Sequence, residues 1–247
     1  MNQRNIKLTV EYDGTNYSGW QIQSGRKTIQ GTLTEAIGKV LNEEITLHGA
    51  GRTDAGVHAQ GQVANFKTSN SLAINKFRHA INSFLPEDIS VHKAEDANPD
   101  FHSQFDATSK TYQYTIVNSY TMRPIMRRYA YLVRTPMNLE LMNEAAKYFV
   151  GKKDFRAFGT ESGRRKSTVR TIYFLDVTKD DNIFKITINA DGFLYNMVRC
   201  IAGSLVRIGR KKAPLQTAER ALTERERKSA GPILPPHGLC LMQVFYD

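Results

Sequence analysis

The sequence contains no long apolar run and only two cysteines, Cys200 and Cys240. Without about eighteen consecutive apolar residues, no segment is predicted to cross a membrane as a helix. Residues 1–5 lack the apolar core of a signal peptide and lead directly into a strand pattern. The two cysteines lack the spacing of a metal site, and Cys200 falls in an apolar helical pattern typical of a buried free thiol. These features predict a cytoplasmic protein that does not associate with membranes.

Motifs for the common nucleotide and cofactor chemistries are also missing. The chain has no phosphate-binding P-loop, no dinucleotide fingerprint and no serine nucleophile elbow. Its six histidines lie far apart, and none forms the His-x-x-x-His pair of a helical zinc site. The sequence therefore predicts no metal site, and a metal-dependent hydrolase is disfavoured.

Charge is the most unusual bulk property of this chain. Lys and Arg number 34 against 24 Asp and Glu, which gives a net charge of +10 and a pI near 9.6. Such a balance favours polyanionic partners such as nucleic acid. The alternative, from charge alone, is a basic enzyme that binds no polyanion.

Hydrophobic periodicity indicates one order of elements, β-α-β-β-α-β, repeated twice. In the first half, residues 5–12 alternate apolar and polar, as in a half-buried strand, and residues 28–42 show the spacing of an amphipathic helix. The remaining predicted elements of that half are strands at 45–50, 61–67 and 89–95 and a helix at 73–84.

The second half repeats the order and predicts the fold class. Its predicted strands cover 109–118, 168–178, 183–190 and 239–246, and its predicted helices cover 138–149 and 194–209, with an extra helix starting at Pro214. Two such units predict an α+β fold with two ferredoxin-like halves, 1–103 and 104–247. We expect these halves to form an extended, mainly antiparallel sheet with helices on one face and a central active-site cleft.

The most informative motif is the run GRTDAGVH, which starts at Gly51. It places one carboxylate, Asp54, between two glycines and close to Arg52. Such a carboxylate would stay ionised and be presented outward, which suits a nucleophile or a general base. The alternative is an ordinary turn residue that hydrogen-bonds its own backbone.

Tyr112 and Arg199 are further candidates for chemistry. In the strand KTYQYTI, period-two spacing puts Lys110, Tyr112 and Tyr114 on one face, which is typical of a base-stacking platform. The alternative is a core strand whose tyrosine hydroxyls are satisfied internally. Arg199 lies at the edge of the buried stripe of helix 194–209, where a buried Arg needs a carboxylate partner. The alternative there is a surface Arg that extends its charged end into water.

Basic loops supply candidate phosphate contacts. The segment 164–170 is dense enough in positive charge to contact phosphates, and a solvated surface loop is the alternative. A second basic residue, Arg26, is displayed by a glycine-containing loop after the first strand. The candidate RNA-binding residues are Arg26, Arg164, Arg165, Lys166 and Arg170.

Together these motifs resemble the TruA family of tRNA pseudouridine synthases. The resemblance runs nearly end to end and rests on EYDGTNYSGWQIQ, GRTDAGVHAQGQVANF, KTYQYTI, DFRAFG, STVRTI, GFLYNMVRCIAGSLV and PPHGLCLMQVFY. It implies an enzyme that isomerises uridine to pseudouridine without a cofactor or a metal. It also implies a homodimer with two ferredoxin-like halves per chain, acting at positions 38–40 on the 3′ side of the tRNA anticodon arm.

The resemblance implies roles for four residues. Asp54 matches the catalytic aspartate, and Arg52 matches the arginine that enters the RNA and helps to turn the target base outward. Tyr112 matches the tyrosine that stacks on the uracil, and Arg199 matches the arginine that pairs with the catalytic aspartate. The alternatives are a non-catalytic RNA-binding protein with a ferredoxin-like fold and a related synthase acting on another RNA. A pure binder does not need Asp54 and Arg199 beside its binding surface.

Overall fold

The computed structural model describes residues 3–160 and 167–247. The chain divides into two compact units. The first unit comprises Met1–Thr108 together with Leu241–Asp247, and the second comprises Ser109–Cys240. The end of the chain therefore belongs to the unit that its beginning forms.

The first unit has the predicted order of elements. The elements are β1 (Arg4–Tyr12), α1 (Ile29–Leu41), β2 (His48–Gly49), β3 (His58–Thr68), α2 (Ile74–Asn82) and β4 (Ile89–Ala97). Strand β1 pairs antiparallel with both β3 and β4, and β2 pairs antiparallel with β3. The classification of the two halves as ferredoxin-like stays a prediction.

Strand β1 carries part of the apolar core of the first unit. Its alternate residues Ile6, Leu8 and Val10 are fully buried, and the register sets Ile6 opposite Phe66 of β3, which is also fully buried. Alternate residues of a strand point to the same face, so these side chains form one layer. Burial of each such side chain contributes about 1.5–3 kcal/mol.

Helix α1 begins and ends where the sequence predicts. The Thr28 side chain accepts a hydrogen bond from the Gly31 backbone N–H, which satisfies one free donor of the first turn. Asn42 ends the helix in the left-handed conformation, with a φ of 54°. Between these caps, Leu33 and Ile37 are fully buried, as the helical spacing predicts.

The second unit is also built from mainly antiparallel strands. The elements are β5 (Ala107–Asn118), β6 (Tyr131–Val133), α3 (Leu139–Lys147), β7 (Gly151–Asp154), β8 (Val169–Asp180), β9 (Ile183–Ala190), α4 (Met197–Gly209), α5 (Thr217–Glu224) and β10 (Leu239–Tyr246), of which β10 lies mostly in the first unit. The strand order is β5-β9-β8-β7, the neighbours in that order pair antiparallel, and β6 pairs parallel to β5. The mixed helix-and-strand class and the mainly antiparallel pairing are confirmed.

Two helices start later than the sequence predicts. Helix α4 begins at Met197 rather than at 194 because Asn196 takes a left-handed conformation with a φ of 63°. Helix α5 begins at Thr217 because its N–H bonds back three residues to the Pro214 carbonyl at 3.0 Å, in a turn that precedes the helix. Both predicted helices exist, and both predicted starts are wrong by three residues.

Helix α4 carries the buried thiol that the sequence predicts. Cys200 is fully buried, and burial raises the pKa of its thiol to about 11. The helix has 13 residues, as does α1. No helix in the part of the chain that the structure describes is long and apolar enough to cross a membrane.

Candidate functional site

The Asp54 loop, residues 51–57, leads from β2 into β3. Gln62 of β3 is fully buried and donates to the Gly51 carbonyl at 2.9 Å. At the tip, the Val57 N–H donates to the Asp54 carbonyl at 3.1 Å and closes a turn. The side chain of Asp54 is partly buried. The turn at Asp54 that the sequence allows is therefore present, and the loop that contains it is also held by the hydrogen bond from Gln62.

A second segment, the 13–28 loop, packs against the Asp54 loop. Trp20, which is buried, donates its backbone N–H to the Thr53 carbonyl at 3.0 Å. The Thr53 hydroxyl and the Tyr12 hydroxyl share a hydrogen bond of 2.8 Å. Thr53 is therefore held from two sides, by β1 and by the 13–28 loop, directly before the catalytic candidate.

Two glycines of the 13–28 loop make this close packing possible. A β-carbon on Gly14 would lie 2.0 Å from the Val57 carbonyl oxygen, and one on Gly19 would lie 2.6 Å from the Thr53 carbonyl oxygen. Gly19 also has a φ of +89°, which residues with side chains rarely adopt. The two loops meet backbone to backbone, so the position of one determines the position of the other.

The 13–28 loop has its own anchor in the first unit. The Tyr17 hydroxyl donates a short hydrogen bond to Asp88, and Lys27 Nζ lies 4.5 Å from the centre of the Tyr17 ring. Burial and the bond to the carboxylate both raise the pKa of Tyr17 above its usual range, so its hydroxyl stays a donor. These contacts therefore hold the 13–28 loop in place, and the Asp54 loop packs against it.

Arg52 is exposed beside Asp54, and a side-chain contact holds it. Its Nε donates to Gln21 Oε1 at 3.1 Å, and Gln21 in turn donates to Gln30 at 2.8 Å. The sequence gives no separate prediction for Gln21 and Gln30. Gln21 lies within the EYDGTNYSGWQIQ motif and Gln30 lies seven residues beyond its end, and a polar side chain carries no periodicity that reveals its partners.

In the second unit, Tyr112 and Tyr114 both lie buried on β5. Tyr112 lies opposite Ile188 of β9, is 7% exposed, and its ring packs edge-on against Phe193 at 5.1 Å between centres. Tyr114 is fully buried and donates its hydroxyl to the Pro235 carbonyl at 2.7 Å. The prediction of a platform formed by both tyrosines is therefore wrong for Tyr114, which is a core residue with a satisfied hydroxyl.

Arg199 is partly buried on α4. Its Nε donates to the Leu234 carbonyl at 2.6 Å and its Nη1 donates to Asn196 Oδ1 at 2.7 Å. Asn196 is itself fixed, because its amide donates to the Thr160 hydroxyl at 2.9 Å. The guanidinium is thus oriented by a chain of bonds within the second unit.

The predicted RNA-binding residues fall in different places. Arg26 is exposed on the 13–28 loop. Arg170 is the second residue of β8, and its Nη1 donates to the Ser167 carbonyl at 3.2 Å. The other three, Arg164, Arg165 and Lys166, lie outside the described residues.

Comparison with known proteins agrees with the motifs in the chain. A family model described as tRNA pseudouridine synthase matches residues 8–106 and 145–247. A protein of Clostridium perfringens named tRNA pseudouridine synthase A 2 is 47% identical over 98% of this chain and all of its own length. A tRNA pseudouridine synthase A of Clostridium botulinum (strain Alaska E43 / Type E3) is 46% identical, and one of Thermoanaerobacter sp. (strain X514) is 44% identical, with the same coverage.

Likeness to one solved structure is weak by comparison. A chain in the structure of an H/ACA RNP bound to a substrate RNA containing 2′-deoxyuridine aligns over 91% of this chain and 59% of its own. Its TM-score is 0.37 and its identity 11%, which is too low to carry an argument.

The family model and the relatives define an isomerase that makes pseudouridine. This chain belongs to the tRNA pseudouridine synthase family. The predicted family and the predicted enzyme class are confirmed.

Proposed function

We propose that this enzyme isomerises uridine at positions 38–40 of the tRNA anticodon arm, with Asp54 as the catalytic residue and no cofactor. The observation that carries the proposal is the fixed carboxylate loop. Asp54 lies on a loop held by Gln62, by Tyr12 and by the backbone of Trp20, with exposed Arg52 beside it. A loop held in this way keeps its geometry when a substrate arrives, which is what positioning for catalysis requires.

The reaction needs no external reactant. The N1–C1′ bond of uridine breaks, the uracil turns, and a new bond forms between C5 and C1′. The hydrogen on C5 leaves as a proton, and N1 gains a proton, so atoms and charge balance. Asp54 acts near C1′ or C2′ as nucleophile or base, in the manner of the carboxylates that act on oxocarbenium-like centres in glycosidases.

Three other residues serve the same reaction in this proposal. Arg52 helps to bring the target base out of its stack, which costs a few kcal/mol in duplex RNA. Tyr112 holds the freed uracil by stacking, worth about 1–3 kcal/mol per base. Arg199 keeps the role that the family resemblance implies for it, the pairing with the catalytic carboxylate.

The target positions and the absence of a cofactor can be tested in one experiment. Anticodon-arm transcripts carrying C5-tritiated uridine at only one of positions 38, 39 and 40 are incubated with dialysed protein with and without EDTA, and C5-tritiated total RNA is incubated in parallel. We expect tritium release from each of them, and none from a transcript labelled elsewhere in the arm. Release only from other RNAs would favour a related synthase with another target, no release at all would favour a non-catalytic RNA-binding protein, and release only without EDTA would contradict the metal-free mechanism.

We also propose that basic residues bind the RNA backbone, and that binding therefore depends strongly on salt. The net charge of +10 and the exposed Arg26 support this, and Arg164, Arg165, Lys166 and Arg170 are further candidates for phosphate contacts. Each phosphate contact should steepen the dependence of log affinity on log salt by about 0.7–0.9.

The salt prediction is checked by filter binding of tRNA at several salt concentrations. Arg26→Ala should lower the slope by about one such increment. Lys39→Ala is the matched control, because Lys39 is paired with Glu35 on α1, and its slope should equal that of the unaltered protein. Equal slopes for both variants would remove Arg26 from the RNA-binding surface.

Two further parts of the proposal concern the state of the enzyme. The family resemblance implies a homodimer. We place the enzyme in the cytoplasm, where tRNA functions.

A further inference from the structure

We propose that Gln21 and Gln30 form a relay that positions Arg52 for the turning of the target base. The inference rests on the proposed role of Arg52 in the isomerisation. It assigns a task to two residues that touch neither the uracil nor Asp54 in the proposed mechanism. Gln21 and Gln30 are therefore positioning residues and not catalytic ones.

The relay begins at Gln30, whose amide is held by backbone groups on both sides. Gln30 is 9% exposed on the first turn of α1. Its Oε1 accepts the Ile22 backbone N–H at 2.9 Å, and its Nε2 donates to the Leu47 carbonyl at 2.8 Å. A backbone N–H can only donate and a carbonyl can only accept, so the orientation of this amide is determined.

The orientation of Gln30 determines that of Gln21. Gln30 Oε1 also accepts a hydrogen bond from Gln21 Nε2 at 2.8 Å. Because the Gln21 amide must donate at this end, its oxygen faces the other way. That oxygen lies 3.1 Å from Arg52 Nε and accepts its hydrogen bond. An Arg side chain has donors only, so the relay presents to it the one kind of group that it can bind.

The contact at Nε has a consequence for the rest of the guanidinium. Binding through Nε fixes the plane of the group and leaves its terminal nitrogens as the part that can meet RNA. Arg side chains lose much rotamer freedom when they bind a partner, and a side chain held in advance loses less at that moment. The relay thus prepares an exposed cation that would otherwise move freely.

The test is a double-mutant cycle with Gln21→Met and Arg52→Met. Met has a similar length and forms no comparable hydrogen bond, so each variant removes one end of the contact. The quantity measured is the single-turnover rate of tritium release at saturating tRNA, with tRNA affinity and thermal midpoint measured in parallel. We expect Gln21→Met to slow the rate about five- to thirtyfold, the factor that corresponds to about 1–2 kcal/mol, the scale of one hydrogen bond. In the Arg52→Met background, the same change should have almost no further effect.

The matched control is Gln23→Met. Gln23 lies in the same loop and donates to the Ser18 carbonyl at 3.1 Å, away from Arg52. It should leave the rate within about twofold, since surface changes without a special role are close to neutral.

Several results would overturn the inference, and they are distinguishable. If Gln21→Met slows the enzyme equally with and without Arg52, its role is in loop stability. If Arg52→Met slows the enzyme and Gln21→Met does not, the relay is irrelevant and the role of Arg52 stands. If Arg52→Met reacts at the normal rate, the proposed function of Arg52 fails, and the relay fails with it.

Discussion

Asp54→Asn should reduce tritium release from C5-labelled uridine in tRNA by about ten-thousandfold or more, the scale seen when a central catalytic group is removed. The amide has almost the same shape as the carboxylate, and the loop around it is held by backbone and neighbouring side chains. The Thr53 carbonyl still accepts from Trp20, and the Gly51 carbonyl still accepts from Gln62. What is lost is the charge and the nucleophile or base. Affinity for tRNA should therefore stay within a few-fold.

Asp96→Asn provides the matched control for that experiment. Asp96 is an exposed carboxylate of the same unit, on β4, and it pairs with Arg4 at 2.8 Å. An exposed ion pair of this kind is worth about 0–1 kcal/mol, so activity should be unchanged. Normal activity of Asp54→Asn would remove Asp54 from the mechanism, and equal losses in both variants would point to a general effect of charge.

Gly14→Ala should damage both stability and activity, although Gly14 is not a catalytic residue. The added methyl group would lie 2.0 Å from the Val57 carbonyl oxygen, which belongs to the backbone of the Asp54 loop. Either the 13–28 loop or the Asp54 loop must move. Overpacking of this kind typically costs about 1–3 kcal/mol of stability. A displacement of the carboxylate by about 1 Å can lower the rate about a hundredfold.

Gly25→Ala separates this effect from that of any alanine in the same loop. Gly25 has a φ of +69°, and a β-carbon there would meet no atom within 4 Å. The cost should be the strain of a left-handed residue, about 1–2 kcal/mol, with little loss of rate. Urea unfolding and single-turnover rates of both variants check the prediction. If Gly14→Ala keeps the rate of Gly25→Ala, contact between the loops does not position Asp54.

The helices and long strands of this fold follow from the pattern of the sequence. Helix α1 is predicted because Leu33 and Ile37 recur at helical spacing, and β1 is predicted because Ile6 and Leu8 alternate with polar residues. Strands β6 and β7 are not predicted, because three and four residues are too few to show a period. The start of α4 depends on one backbone conformation, that of Asn196, which periodicity does not report.

The candidate site, like the fold, is predictable from the sequence only in part. Asp54 is recognisable from the residue types around it and from the family motif. Trp20 and Gly14 are recognisable only as parts of a loop, because their importance lies in backbone contacts to residues more than thirty positions away. The burial of Tyr114 likewise depends on which residues pack against β5. A strand shows the same alternation of residue types whether its face is covered by the core or open to solvent, so the pattern does not report this burial.

The last residues of the chain complete the unit that contains Asp54. The Tyr246 hydroxyl donates to the Ser103 carbonyl at 2.7 Å, its ring lies 5.1 Å from that of Phe101, and β10 is the neighbour of β3. The ribosome adds residues 241–247 after the whole second unit, which separates them in sequence from residues 1–108. The first unit can therefore complete its sheet only after the second unit has been synthesised, and until then β3 lacks its β10 neighbour, which leaves a strand edge prone to incorrect pairing. Loss of residues 241–247 would leave that strand edge open.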